Sequence, residues 1–532
     1  MKSVFIKVII IVVSFFFAFS ASAYEETDSV WYDSISGVKM HIQQVDSFAK
    51  FTCPIHLFGK NCDGTCKSPA LQSLALDLGI NAGILAWDRF VQDRDYAYIT
   101  NKVLKRNLTG GWVWDNDSFS GNQFAHPYHG GMFYNAAREH GLSYGVSLIY
   151  PLVGSGTWEV FCETNRPAIN DFLSTGIGGA AIGEVGHRIS DIFFDNRARG
   201  SRRVIREFLG TFLNPVRGFH RLVSGEMFHV TPGFAGKKEA PEPYSFEIGL
   251  GNRYTNDFGS VHPLTGKRYH ENVPYLDITF NYGNHFNDLD EGIASRAYDY
   301  FEMYALMNLA PDNPTIGEFE ITGRIGSIQR QFPHRWKMDI GFYQNLKYVD
   351  HYSNADGVAG NLAVISEAAS FGAGFHAARQ GKAVSVLHDF MFSAVPLGGS
   401  TADYYPLRRY NFGTGFSVRH KFKFIYNKHI SFGNKFYFMR LFILKGAKLS
   451  DLENFQKDPE HYREEIEDGI NAWGDKGEQS IIQNTLFFDV NITPDLRFCA
   501  SSELYFRQGQ YRYYPNRIAR SHELKFGIVY AL

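Results

Sequence analysis

The chain is poor in cysteine, 5 of 532 residues, and in proline, 19, and neither charge sign is in excess: Lys plus Arg number 53 against 55 for Asp plus Glu. So few cysteines cannot staple a chain this long, which must be held by a large buried core of its own. The balanced charge creates no field for polyanions, so nucleic acid is excluded as a partner. Long apolar runs are scarce beyond the amino terminus. The best candidate there, Leu142 to Trp158, is uncharged but broken by Pro151 and several glycines, and is marginal for crossing roughly 30 Å of hydrocarbon. A polytopic helical membrane protein is excluded, and the composition excludes disorder and coiled coil as well.

What the chain has is aromatic rings, 47 Phe and 30 Tyr, in a sequence whose mean hydropathy is still negative. Large apolar rings interleaved with polar residues are a sheet pattern. At the amino terminus, Lys2 and Lys7 precede the apolar run Val8 to Phe19 and the small-residue site Ala21-Ser22-Ala23. This reads as a secretory signal over residues 1–23, with Sec-type export and a mature start near Tyr24. No cysteine follows the cut, so no lipoprotein anchor is expected. An exported protein of this kind is either soluble or a β-barrel.

From about Tyr244 onward, segments of ten or more residues place apolar side chains at every second position, separated by polar or Gly/Pro/Asn turns. In the last segment Leu524, Phe526, Ile528, Tyr530 and Leu532 alternate with Glu523, Lys525, Gly527, Val529 and Ala531. One face suits lipid, the other a wet lumen. Candidate strands fall at 243–255, 274–287, 296–310, 315–331, 336–352, 364–380, 383–395, 410–426, 430–445, 481–494, 496–508 and 517–532. Their even number is what a single-chain antiparallel membrane barrel requires. Thr493-Pro494-Asp495 reads as a tight turn and 446–480 as a long charged loop. A soluble β-sandwich also alternates, but it would leave few such rings in water.

Residues 70–222 follow a helical period instead, with one helix expected within Gly83 to Asn107 and shorter ones at 130–140, 142–162, 170–195 and 200–212. The expected organisation is a signal peptide (1–23), a cysteine-containing segment (24–70), a helical domain (71–230) and a mainly β, roughly twelve-stranded antiparallel transmembrane barrel (231–532).

Within the helical domain, Gly110-Gly111-Trp112-Val113-Trp114-Asp115-Asn116-Asp117 leads into Asn122-Gln123-Phe124, His126-Pro127-Tyr128-His129-Gly130 and Tyr134-Asn135-Ala136-Ala137-Arg138. Trp158-Glu159, Glu163, Ile169-Asn170-Asp171, Gly178-Gly179, Gly183-Glu184 and Asn214-Pro215-Val216-Arg217-Gly218 follow in order. In these strings the chain resembles the bacterial family known only as domain of unknown function 3943, over roughly residues 75–230. The resemblance implies an exported envelope protein of a diderm bacterium with a strand-rich remainder. It supplies no catalytic residues.

His126 and His129 lie three apart, and Glu159 and Glu163 four apart. Imidazoles and carboxylates one helical turn apart can converge as a divalent metal site or as an acid/base cluster. The simpler reading is a polar network, in which the imidazoles satisfy backbone carbonyls, the two glutamates pair with Arg138 or Arg188, and Asn170-Asp171 caps a helix. No other cofactor is called for, since the glycines Gly176, Gly178, Gly179, Gly183 and Gly186 lack the order of a phosphate loop and suit close helix packing. Arg138, Asp171, Glu184, Arg202 and Arg203 are candidates for binding a lipid or solute, the arginines belonging to a basic stretch that a solvated face would also explain. Cys53, Cys62 and Cys66 are candidates for a disulfide, or with His56 for zinc. Cys162 and Cys499 are expected to be unpaired.

These observations point to an outer-membrane protein, inserted by the barrel-assembly machinery, with outer-membrane lipid as a partner. Its helical domain would sit at or inside the periplasmic mouth as a plug or gate, and the barrel would conduct or bind a small solute or lipid. An outer-membrane lipid or lipopolysaccharide hydrolase using His126, His129, Glu159 and Glu163 is the rival reading, and a structural envelope component the third. No serine-centred triad is visible.

Overall fold

The computed structural model describes residues 29–32, 39–42, 69–230, 243–261, 268–286, 296–353, 360–405, 407–448, 450, 453 and 471–532. The proposed signal peptide and the trio Cys53, Cys62 and Cys66 lie outside them. The chain divides into two compact units, a helical one within residues 43–241 and a β unit over 242–532 that also takes in a short amino-terminal hairpin.

That hairpin, β1 (Ser29–Tyr32) and β2 (Lys39–Ile42), meets the next strand at a single pair, His41 with Tyr244. Twelve strands follow: β3 (Tyr244–Val261), β4 (Arg268–Tyr282), β5 (Phe301–Asn308), β6 (Ile316–Phe332), β7 (Trp336–Ser353) and β8 (Gly360–Gln380). The rest are β9 (Val384–Thr401), β10 (Tyr410–Tyr426), β11 (Ile430–Ile443), β12 (Gly477–Asn491), β13 (Leu496–Tyr511) and β14 (Arg517–Ala531). Every consecutive pair is antiparallel, and β3 pairs with both β4 and β14, so the sheet closes into a barrel without a free edge. All twelve expected strands are present, and several run longer than the alternation alone suggests.

The turns 333–335, 381–383, 427–429 and 492–495 are short and lie at one end, where the chain also enters β3 and leaves β14. In one of them Asn427 and Lys428 both take left-handed conformations and His429 N–H donates to Tyr426 O, a twist that suits a tight hairpin. The longest connection, 444–476, lies at the other end. This asymmetry is that of membrane barrels.

The alternation places rings outside and charges inside. In β14 Phe526 is 51% exposed, whereas Glu523 is 5% exposed. Lys525 reaches Glu318 on β6 at 2.7 Å, four strands away, as well as Glu523 at 3.1 Å. Glu318 also meets His351 at 3.2 Å, and Arg253 meets Glu523 at 3.2 Å. Tyr437 on β11 donates to Glu367 on β8 at 2.7 Å, and Val349, Ile365, Val395, Met439, Leu441 and Ile481 form a buried apolar cluster around it. Side chains therefore fill much of the lumen, as expected for a barrel of this size.

The helical unit contains, among the described residues, α1 (Pro69–Phe90), α2 (Asn101–Thr109), α3 (His126–Arg138), α4 (Tyr144–Ser147), α5 (Ile149–Phe161) and α6 (Ile169–Leu173). It continues with α7 (Gly179–Phe193), α8 (Gly200–Leu213) and α9 (Pro215–Val223). The single helix expected within 83–107 is instead the end of α1, a break, and α2. Asp93 takes a left-handed φ of 51° and Asp95–Ala97 form a short 3-10 turn, so the helix cannot run through. The stretch 142–158 is likewise divided between α4 and α5. By length and composition, α1 is the one described helix able to cross a membrane.

Candidate functional site

Helices α3 and α7 cross where both are glycine. A Cβ on Gly130 would lie 1.9 Å from Thr175 O, and one on Gly179 would lie 2.5 Å from Gly130 Cα. Only glycine permits this approach, so the glycine face serves close packing. The crossing brings His126, at the start of α3, beside the π-helical turn Ser174–Gly178, with Thr175 Oγ1 3.5 Å from His126 Nδ1. A second π-helical turn, Gly121–Ala125, immediately precedes His126. Such turns cost hydrogen-bond geometry and concentrate at functional positions.

A short parallel bridge between Val113 and Ala168 adds two more strings to the same place. Asp115 N–H donates to Asn170 Oδ1, and Asp115 Oδ1 accepts from Asn122 Nδ2 at 2.7 Å and Asn170 Nδ2 at 2.8 Å. Asn170 Nδ2 also donates to Asp171 Oδ1 at 2.8 Å. Asn170-Asp171 is not a helix cap: Ala168 occupies the N-cap position of α6 without a side-chain hydrogen bond, and Asn170 organises two aspartates.

The result is a cluster in which one donor atom each of His126, Glu159 and Asp171 lies within 4.8 Å of the others. His126 Nε2 is 3.6 Å from Asp171 Oδ1, and its side chain is 19% exposed, giving the cluster its route to solvent. Glu159 and Asp171 are buried. Glu159 Oε2 accepts from Ala168 N–H at 2.8 Å, while its Oε1 receives no N–H or hydroxyl donor and the Glu163 carboxyl lies within hydrogen-bond reach of Glu159.

Electrostatics set this place apart. Burial, reinforced by Glu163, raises the Glu159 carboxyl well above its ordinary range, and burial with Asp115 does the same to Asp171. Burial pushes Glu163 up to about 8, and burial beside Asp115 pushes Asp117 up to about 6. His126 is lowered by burial against the pull of Asp115, and His129 falls to about 3 through burial and the nearby His126. Neutral imidazole and clustered carboxyls can hold a shared proton or a cation.

Of the four residues first expected to converge, His126 and Glu159 do so. Glu163 stands beside Glu159, and His129 is directed elsewhere, its ring against Phe133 at 4.5 Å and Trp158 at 5.1 Å. Asp171 completes the cluster. The arginine pairing expected for Glu159 and Glu163 belongs to Glu184, which accepts from Tyr134 Oη at 2.7 Å, Arg138 Nε at 2.8 Å and Arg188 Nε at 2.9 Å. Although burial opposes its charge, Arg138 and Arg188 hold Glu184 down to about 2. Arg203 is buried and donates to the carbonyls of Met227 and Glu226, while Arg202 is half-buried. Sequence reasoning did not assign Asp115 and Asp117 to the site. The spacing Asp115-Asn116-Asp117 beside two tryptophans is the signal that could have found them. Cys162 and Cys499 are unpaired, and Cys499 Sγ accepts from Arg497.

The fold defined here is a closed twelve-stranded antiparallel barrel with a helical unit before it in the chain. Residues 111–216, which hold the whole cluster, match the family described as Domain of unknown function (DUF3943). Solved structures similar to this chain include the NanC porin, at 8% identity over 54% of this chain and 98% of that one, TM-score 0.26. An outer membrane channel from Pseudomonas putida F1 matches at 8% over 57% and 100%, TM-score 0.26. The outer membrane channel DcaP of Acinetobacter baumannii matches at 8% over 54% and 96%, TM-score 0.21. Among curated proteins none matches. The architecture stated above rests on the strand pairing itself.

Proposed function

We propose that this chain is an outer-membrane β-barrel protein that binds or slowly passes a small charged solute, with lipid as the partner of its outer surfaces. The observation that carries the reading is the sorting along the barrel strands, with Phe526, Ile528, Phe392 and Leu486 outward and Glu523, Lys525 and Arg253 inward. Hydrocarbon favours the first set, and a polar lumen the second. The helical unit supports lipid as the partner, since Val204, Phe208 and Phe212 stand exposed along α8 while Arg203, Arg206 and Glu207 of the same helix are buried. The barrel-assembly machinery would be this chain's partner during insertion.

The ion pair from Lys525 to Glu318 links strands four apart inside the barrel and would narrow its lumen. Planar-bilayer recording tests this. The wild type should show small or rare openings, and the double variant Glu318→Ala, Lys525→Ala should conduct several-fold more. No conductance from either would remove the channel reading. A lipid hydrolase is the second reading, favoured by the convergence of His126, Glu159 and Asp171; Glu159→Gln should then abolish turnover of extracted envelope lipids.

A further inference from the structure

We propose that His126, Glu159 and Asp171 bind one divalent transition cation of the class of zinc or manganese. The inference concerns the segment 111–216 and stands apart from the channel reading.

Three elements deliver the donors: the first residue of α3, the third-last residue of α5 and the third residue of α6. One imidazole nitrogen and two carboxylate oxygens form a set suited to such cations rather than to calcium or copper(I). Around a tetrahedral ion at about 2.0–2.2 Å, neighbouring donors stand roughly 3.5 Å apart. His126 Nε2 and Asp171 Oδ1 already do, at 3.6 Å.

Independent evidence comes from what the buried carboxyls lack. Glu159 is 1% exposed and its Oε1 receives no N–H or hydroxyl donor, and among the described residues no Lys or Arg pairs with Glu159 or with Asp171, which is 3% exposed. The same helical unit shows the alternative solution at Glu184, equally buried, where two arginines supply the countercharge. A fold that can place arginines beside a buried carboxylate has not done so here. A cation supplies the positive charge and accepts the idle oxygen at once. Asp115, held by Asn122 and Asn170, stands behind the ligands as a positioning residue, and three protein donors leave a tetrahedral ion one further position.

The test uses the full chain in detergent, purified without a histidine tag, stripped with chelator and titrated calorimetrically with zinc and with manganese. The wild type should take up roughly one equivalent of at least one of the two and gain thermal stability with it. Glu159→Gln and Asp171→Asn, close in shape to the native residues, should lose that equivalent, whereas Glu163→Gln should retain it. Heat-dependent gel migration and the 222 nm circular dichroism signal report that barrel and helices remain folded. Should either variant fail that check, His126→Ala at the solvent side replaces it, and the metal-dependent thermal shift must vanish there. Failure of the wild type to bind either ion overturns the proposal, as does undiminished binding by folded ligand variants or equal loss in Glu163→Gln. None of these outcomes bears on bilayer conductance.

Discussion

In β14, Phe526 and Ile528 stand outward while Glu523 and Lys525 point into the lumen; in α1, Leu78 and Trp87 stand outward while Ser73, Asp77 and Asn81 are buried. These two elements thus sort side chains alike, at period two in the strand and near period four in the helix, each turning apolar residues outward and polar ones inward. The two units differ in how buried charge is neutralised. In the barrel, carboxylates are matched by Lys or Arg from other strands, as at Glu523, Glu367 and Glu247. In the helical unit this holds at Glu184 but not at Glu159 and Asp171, whose neighbours repel them. A buried carboxylate matched by arginine keeps its charge and contributes to one defined geometry, whereas burial without such a partner favours the neutral carboxyl at Glu159 and Asp171, a perturbation that concentrates at functional positions.

The largest expected effect tests the matched case. Glu184→Gln leaves Arg138 and Arg188 facing a neutral amide and should destabilise the helical unit by about 3–5 kcal/mol, read by denaturant unfolding at 222 nm. The same variant sharpens the pH behaviour. The folded carboxyl sits at about 2, below its ordinary 4.5, so its contribution is complete above the unfolded value and is lost as pH falls from about 4.5 toward 2. That acid limb should be shallower in Glu184→Gln; an identical limb would show that the arginines do not hold this charge.

A second experiment probes the shared sorting. Phe526→Arg should cost the barrel about 2–4 kcal/mol if the position lies near the bilayer midplane, and about 0–1 kcal/mol near an interface, measured by unfolding from liposomes. Phe208→Arg on α8 asks the same of the helical unit. A penalty in the barrel variant with none in the helical one would break the parallel and leave lipid contact to the barrel alone. The smallest effect belongs to Arg197→Ala, which removes an exposed pair with Asp195 at 3.2 Å and should change stability by under about 1 kcal/mol.

The barrel was legible in the sequence because alternation is a local property: each strand declares its two faces within ten residues, and an even number of strands then closes. The hairpin β1 and β2, with four-residue strands, is too short to do so. The helices were less legible for the reason just described. A helix that buries Ser73, Asp77 and Asn81 presents its polar stripe where the usual argument expects an apolar one, so α1 escaped notice and its end was joined to α2. The site was half legible. His126 and Glu159 stand out by type and spacing, but Asp115 and Asp171 lie 56 positions apart and meet only through the bridge from Val113 to Ala168, which no local pattern announces.

The seam between β3 and β14 pairs Glu247 with Ala531. Ring closure therefore joins the first strand made to the last, nearly the full length of the unit apart, so the entropy of gathering almost three hundred residues is spent before the final ladder returns anything. Until then β3 carries an unpaired edge open to any passing strand. Assembly should be slow, cooperative and dependent on escort, with truncation of β14 producing aggregates instead of a smaller barrel.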